Sequence, residues 1–203
     1  MKTRIVALFT FLLFLQFWSC NKEPERLDNY LVEFATTYMG NTYHFILDNG
    51  DILTPIEVKD INKKNGQRII LKYTPLGDGM IKIIQIAPIL TGEISYDILP
   101  DIHNTDPIKL QSVWVGGNYL NIIFEIEYNS KVHNISLHRD TNSPEIDLYL
   151  IHSLNNDSPG YPRIMYSSFL IDDIRTETDP SPTPFRLHIN THSGIRQINL
   201  KLR

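Results

Sequence analysis

Apolar and polar positions alternate along most of this chain with a period of two, and the alternation is broken at short intervals by turn residues. Tyr30, Val32, Phe34, Thr36 and Tyr38 share one face of a first predicted strand, Tyr43, Phe45 and Leu47 continue the pattern, and Asp48-Asn49-Gly50-Asp51 turns the chain through an Asn-Gly pair that tolerates positive φ. Ile52 to Pro55 returns, a polar turn at Asn62 to Gly66 follows, and Arg68 to Tyr73 places Ile69, Leu71 and Tyr73 in phase. After Leu76-Gly77-Asp78-Gly79, a strand from Met80 to Ala87 is apolar on both faces, which suggests a central position or a contact packed above it. No helical period competes. Five short strands joined by hairpins over 29–88 are too few for a flat sheet with a solvated back, so an OB-like closed barrel that removes the edges is the expected architecture.

Pro88 to Asp106 carries two prolines, a Gly-Glu pair and several aspartates without sustained periodicity, and residues 89–106 read as a linker. From Pro107 the alternation resumes. Ile108 to Val115 leads through Gly116-Gly117 into Leu120, Ile122, Phe124, Ile126 and Tyr128, a strand–turn–strand pattern with one buried face. Strands follow around Ile135 and Leu137, Ile146 to Leu150, Arg163 to Ile171, Phe185 to Ile189 and Ile198 to Leu202. The run Asp179 to Pro184 cannot pair in a sheet because its prolines lack donors. Seven strands over 107–203 predict an immunoglobulin-like β-sandwich, without the cysteine pair of antibody domains. The fold class is therefore all-β, in two domains.

Composition narrows the chemistry. A formal net charge of -4 over 203 residues offers no basic excess for nucleic acid or anionic lipid, and the cluster Lys63, Lys64, Arg68 and Lys72 reads as a solvated hairpin. One cysteine, Cys20, excludes a disulfide framework and a cysteine-based zinc site. It ends an apolar run from Ile5 to Trp18 that follows Lys2 and Arg4, so residues 1–19 read as a signal peptide, too short for a permanent span. Bacterial lipoprotein signals place the residue to be acylated at this point, although Phe17 and Trp18 are bulkier than usual there. This resemblance implies lipid attachment at Cys20, with 20–28 as a polar tether. Loss of residues 1–19 removes Lys2 and Arg4 and no acid, so the mature chain is more acidic still.

Candidate catalytic groups do not assemble into a motif. His188 and His192 would share a strand face, as His133 and His138 would not, and zinc would need a third ligand. Asp97, Asp101 and Asp106 lack the glycine and glutamate of an EF-hand loop. Asp172, Asp173 and Glu177 could supply paired carboxylates for glycoside hydrolysis, but adjacent strand positions point to opposite faces. No serine-nucleophile, phosphate-loop or dinucleotide fingerprint is present. The Gly-Gly between two strands is hairpin chemistry and not an anion nest, and Trp114 could face the core or the outside.

Tyr43-His44-Phe45-Ile46-Leu47-Asp48-Asn49-Gly50, Asn65-Gly66-Gln67-Arg68-Ile69-Ile70, Asp106-Pro107-Ile108 and Trp114 to Asn121 together resemble the NigD-like lipoproteins of Bacteroidota over essentially the whole mature chain. The resemblance implies an N-terminal OB-like domain, a C-terminal β-sandwich and an association with bacteriocin production or immunity. It supplies no catalytic residues. The expected function is a non-catalytic, membrane-anchored interaction module of the cell envelope, lipid-anchored to the outer membrane, with no cofactor or metal and no nucleic acid. Its expected partner is an envelope protein or a glycan, met through the loops Asn155 to Pro162 and Asp179 to Pro184. A carboxylate-based envelope hydrolase acting on glycans or peptidoglycan is the alternative.

Overall fold

The computed structural model describes residues 29–40, 42–58, 64–175 and 182–203. Cys20, the signal run, the tether, Lys63 and Glu177 lie outside the described residues, as do positions 179–181 of the predicted loop; Thr183 and Pro184, expected to stay out of a sheet, instead begin an edge-side pairing with Leu202 and Lys201, a strand start where proline is tolerated. Among the described residues every regular element is a strand, apart from two single 3₁₀ turns at Ile102–Asn104 and Asp172–Ile174, and no helix is long and apolar enough to cross a membrane.

Five strands close the first barrel: β1 (Leu31–Met39), β2 (Tyr43–Leu47), β3 (Ile52–Pro55), β4 (Arg68–Gly77) and β5 (Met80–Pro88), in the order β1-β2-β3-β5-β4. All neighbours are antiparallel except β3 and β5. Closure gives every strand two partners, which is why β5 can be apolar on both faces with nothing packed above it: Ile81 enters the core while Ile84 is exposed. In β1 the interior takes Ala35 and Thr37, and the aromatic face turns outward. Period two defines the two faces of a strand but not which one points inward. The core itself is Phe45, Leu47, Leu53, Ile69, Leu71, Tyr73 and Ile81 around the small Ala35.

The second domain has eight strands. They are β6 (Leu90–Ser95), β7 (Lys109–Gly116), β8 (Tyr119–Tyr128), β9 (Asn134–Arg139), β10 (Asp147–Ser153), β11 (Tyr161–Leu170), β12 (Thr183–Thr191) and β13 (Gly194–Leu202). Seven are the strands expected from the periodicity. The eighth, β6, lies inside the segment read as a linker, so 89–106 is part of the sandwich and the domains meet near residue 89. Its inward position opposite the core is Gly92, whose absent Cβ would stand 3.0 Å from the Phe169 ring. Glycine at the position where alternation calls for an apolar side chain erases the strand signal.

β6 also joins the two layers. Its residues Leu90 to Glu93 pair in parallel with β11, and Ile94 and Ser95 pair in parallel with β9. One layer is then β6-β11-β8-β7 and the other β6-β9-β10-β12-β13. Between them lies one core of aliphatic and phenyl side chains, including Leu120, Ile122, Phe124, Leu137, Leu148, Phe169, Leu187 and Ile189. The edge strands β7 and β13 approach each other, and a parallel bridge from Ile108 to Thr191 ties the layers at one point. That bridge joins the residue before β7 to the end of β12; β7 and β13 themselves do not pair, which leaves an open seam.

Candidate functional site

The barrel docks on the sandwich through one buried cation. Arg68, at the start of β4, is 1% exposed, a correction to its reading as part of a solvated basic hairpin. Its guanidinium uses all five N–H groups. Nε donates to Ser168 Oγ at 3.0 Å; Nη1 donates to Thr36 Oγ1 at 3.1 Å and Asp48 Oδ1 at 2.6 Å; Nη2 donates to Asp48 Oδ2 at 3.1 Å and Asn121 Oδ1 at 3.0 Å. Asn121 returns its amide to Asp48 Oδ2 at 2.7 Å and accepts from Ser168 Oγ at 2.7 Å. The Tyr119 ring covers the guanidinium at 4.1 Å. Two barrel strands, the β2–β3 turn, β8 and β11 thus meet on a single side chain.

The Gly-Gly turn belongs to this junction. A Cβ on Gly116 would lie 2.4 Å from Asp48 Oδ2, and Gly117, at φ +56, sits with its Cβ position 3.3 Å from the Asp48 carbonyl. The glycines make the hairpin and also let the barrel's turn reach it. Trp114, whose side was open from sequence, faces outward onto the other domain: its ring meets Phe34 edge-on at 5.0 Å and 87°.

Beside this contact the seam opens into a cleft of about 1320 Å³. One wall is Asp48 and Asn49 of the barrel with the Trp114 to Asn118 hairpin, and the other is Phe185 and Arg186 with Leu200 and Lys201. Trp114 also lines a smaller cleft of about 390 Å³ on its far side, with Val32, Phe34 and Tyr166. Four cationic side chains, Arg175, Arg186, Lys201 and Arg203, line the large cleft against two anionic ones, Asp48 and Glu145. Both anions are engaged: Asp48 by Arg68, and Glu145 by Arg186. Arg175 donates to Asn118 Oδ1 at 3.0 Å and to the Arg203 carbonyl. The cleft thus presents an aromatic edge and a basic rim, and the two carboxylate side chains among its described lining residues are each ion-paired.

Behind Arg186 the buried Asp147 accepts from Arg186 Nε at 2.6 Å, Arg186 Nη2 at 2.5 Å and Ser143 Oγ at 2.6 Å, and it meets His188 Nε2 at 2.7 Å. Arg186, with Ser143 and His188, holds the Asp147 carboxyl well below the usual carboxylate range against the opposing effect of burial. His188 stacks on Tyr149 at 4.6 Å, and His192 is exposed in the β12–β13 turn. Among the described residues no cluster of histidine and carboxylate groups can hold a metal ion.

A second polar cluster lies within the sandwich, away from the cleft. His152 Nδ1 donates to the Asp106 carbonyl at 3.1 Å, which leaves Nε2 to accept from His133 Nδ1 at 3.0 Å; His133 Nε2 stands 3.3 Å from Asp157. Burial, then the neighbouring His133, hold the His152 ring below its ordinary pKa. Burial alone would raise Asp157, but the amides of Asn129, Ser130 and Lys131 and the His133 ring bring it down to about 2. These contacts fold the Asn155 to Pro162 loop onto the β8–β9 turn, with Asp157 as an internal strut. Asp97 accepts from Ser95, Asp101 caps the first 3₁₀ turn, and Asp106 accepts from the Leu154 amide at 2.7 Å. Asp172 and Asp173 open the second 3₁₀ turn, outside the cleft lining.

Two family models cover this chain. Residues 34–89 match the NigD-like N-terminal OB domain, and residues 94–202 match the NigD-like C-terminal β-sandwich domain. The chain belongs to the NigD-like family. The second match starts at the C-terminal end of β6, in keeping with that strand's place in the sandwich. Among solved structures, the chain is similar to a protein described as toxin-related from Parabacteroides distasonis, at 26% identity and TM-score 0.76 over 86% of this chain and 94% of that one. A protein of unknown function from Bacteroides vulgatus matches at 19% identity and TM-score 0.74 over 86% and 92%. A NigD-like immunity protein from Bacteroides caccae matches at 23% identity and TM-score 0.66 over 83% and 91%. A search of curated proteins finds no match. The NigD-like architecture of OB barrel and sandwich is what the sequence resemblance implied.

Replacing Arg68 by alanine strands the Asp48 carboxylate in the junction, and urea denaturation should show a loss of about 3–5 kcal/mol. Arg68→Lys should recover little of it, because one ammonium cannot reach five acceptors on four elements. A variant within experimental error of the parent would remove Arg68 from its central place.

Acid should weaken the fold in two stages. The folded pKa of His152 lies below its unfolded value, so from about pH 6.5 downward the unfolded chain binds a proton that the folded one refuses, and stability falls. The folded pKa of Asp147 is likewise depressed, so its contribution is present above about pH 4 and is lost as pH falls toward the folded value. Burial also lowers His138, so denaturant midpoints across this range should show the upper stage shrink in His152→Gln while the lower one stays; an unchanged upper stage would assign it to other groups.

Proposed function

We propose that this NigD-like protein is an outer-membrane lipoprotein, acylated at Cys20, that acts as a non-catalytic binding module with the cleft at the domain junction as its ligand site. The cleft is the observation that carries this reading. It is large enough for several residues or sugar rings, it joins an aromatic side chain to a basic rim, and its carboxylates are consumed by ion pairs. The rim is opposite in sign to the formal charge of the whole chain, which favours a ligand with negative charge. An acidic envelope protein or an acidic glycan fits this description. The Bacteroides caccae relative, described as an immunity protein, raises a bacteriocin as the narrower candidate. The expected loop-borne site is replaced in this reading: Asp157 is spent on holding the Asn155 to Pro162 loop in place.

Two experiments test the two halves of the proposal. A clickable fatty acid fed to cells should label the parent protein and not Cys20→Ala, which should leave the membrane fraction; label retained on the variant means that the anchor lies elsewhere. A photo-crosslinker placed at Asn199 on live cells should capture an envelope component, and Trp114→Ala with Lys201→Glu should reduce the capture about tenfold or more. Capture at the parental level would move the binding site out of the cleft.

A further inference from the structure

The barrel exposes a group of large apolar side chains at the end where the chain enters it. Ile52 is 58% exposed, Leu76 51%, Met80 37% and Leu31 47%. Strand pairing brings them together. Leu31 pairs with Tyr73, and β4 runs on past Tyr73 to Gly77, which pairs with Met80 across the β4–β5 turn. Met80 in turn pairs with Thr54 of β3, and the Thr54 amide donates to the Gly79 carbonyl at 2.8 Å. The Ile52 carbonyl lies 3.1 Å from the Cβ position of Gly79. The turn itself holds three successive residues at positive φ, Gly77 at 95°, Asp78 at 50° and Gly79 at 72°. Such a turn is tight, and it presents Leu76 and Met80 side by side at its tip.

Among the described residues these four side chains stay exposed to solvent. The docking face of the barrel is the outward side of β1 with Arg68 and Asp48, where Phe34 meets Trp114. An uncovered apolar tip on an otherwise acidic protein needs an apolar neighbour. The chain supplies a reason for one to be near. Leu31 stands eleven positions after Cys20; a chain of that length spans at most about 40 Å, and about 20 Å as a flexible coil. An acyl group on Cys20 therefore brings this end of the barrel, where the chain enters it, within reach of the bilayer surface.

We infer that the barrel end formed by Leu31, Ile52, Leu76 and Met80 rests on the lipid surface, and that this contact, resting on acylation of Cys20, orients the protein on its membrane. The β4–β5 tip sits at the headgroup boundary with its two apolar side chains directed into it. Asp78 in the turn and Lys82 on the next outward position of β5 remain at headgroup level, a pair of opposite charges suited to a zwitterionic surface. Lipid contact at the barrel end leaves the side of the molecule, with the seam and its cleft, open to the aqueous phase.

Hydrogen–deuterium exchange on the full acylated protein in vesicles of equimolar phosphatidylethanolamine and phosphatidylcholine tests the inference. Amides from Leu76 to Met80 and at Ile52 should exchange at least about threefold more slowly than in the Cys20→Ala protein mixed with the same vesicles. Leu76→Asp with Met80→Asp should remain acylated and vesicle-bound, with parental exchange in the core strand around Phe45, yet lose that protection. Acylated, vesicle-bound protein with unchanged exchange at the tip overturns the inference while leaving the anchor in place. Protection seen in native envelopes but not in protein-free vesicles also overturns it, in favour of a protein neighbour. A mass spectrum without an acyl group on Cys20 overturns both readings at once.

Discussion

A guanidinium removed from water is costly unless each of its donors is met and its charge is neutralised. Arg68 satisfies both conditions only where two domains touch. Thr36 and Asp48 come from the barrel, Asn121 and Ser168 from the sandwich, and the five hydrogen bonds leave no donor unused. Sliding one domain past the other by a single strand position would strand several of these groups at once. The ion pair therefore fixes register more than it adds net stability, because a buried pair regains by attraction roughly what desolvation takes. The two glycines of the β7–β8 hairpin are part of the same constraint, since a side chain at Gly116 would occupy the space of the Asp48 carboxylate.

The cleft inherits its shape from that contact. One wall belongs to the barrel turn that Arg68 holds, and the opposite wall belongs to β12 and β13, braced from behind by the Asp147 hub. A site built from two domains usually opens and closes as they move, but here the joint is a saturated polar network flanked by the edge-on pair of Phe34 and Trp114. In the proposed reading, recognition works by fit to a preformed surface and depends on which rim charges remain after the internal pairs are made. Asp48 pairs with Arg68, and Glu145 and Asp147 with Arg186, so Arg175, Lys201 and Arg203 carry the remaining cationic character of the rim.

Most of the fold was legible because alternation reports local burial. Twelve of the thirteen strands described carry an apolar residue at nearly every second position on one face, and the turns between them are marked by glycine, asparagine or proline. β6 escaped because Gly92 takes the inward position, where Phe169 fills the space that a side chain would have used. Arg68 escaped for a different reason. Within Lys63, Lys64, Arg68 and Lys72 it looks like one more solvated cation, and nothing local distinguishes it from its neighbours. Its partners Asn121 and Ser168 lie 53 and 100 positions away. Long-range polar satisfaction leaves no periodic trace, so the junction and the cleft beside it could not be assembled from sequence. Trp114 and the Gly-Gly turn could be singled out, but only as a hairpin.

The seam also raises the question of why it stays open. An unpaired pair of strand edges invites a third strand, and a peptide backbone lying between β7 and β13 would complete the sheet. The composition of β13 opposes this. Beyond Gly194 and Ile195 at its start, its exposed positions are Arg196, Gln197, Asn199 and Lys201, polar side chains that lose solvation and freedom when another backbone is pressed against them. The opposite edge strand begins with Lys109, Gln111 and Ser112, all exposed. Both edges therefore resist strand addition while Trp114 and Leu200, both half-buried, remain reachable from solvent at the cleft. A surface that discourages a backbone ladder but keeps an aromatic edge and guanidinium groups accessible is suited to reading side chains or sugar rings, and the openness of the seam is what keeps that surface available.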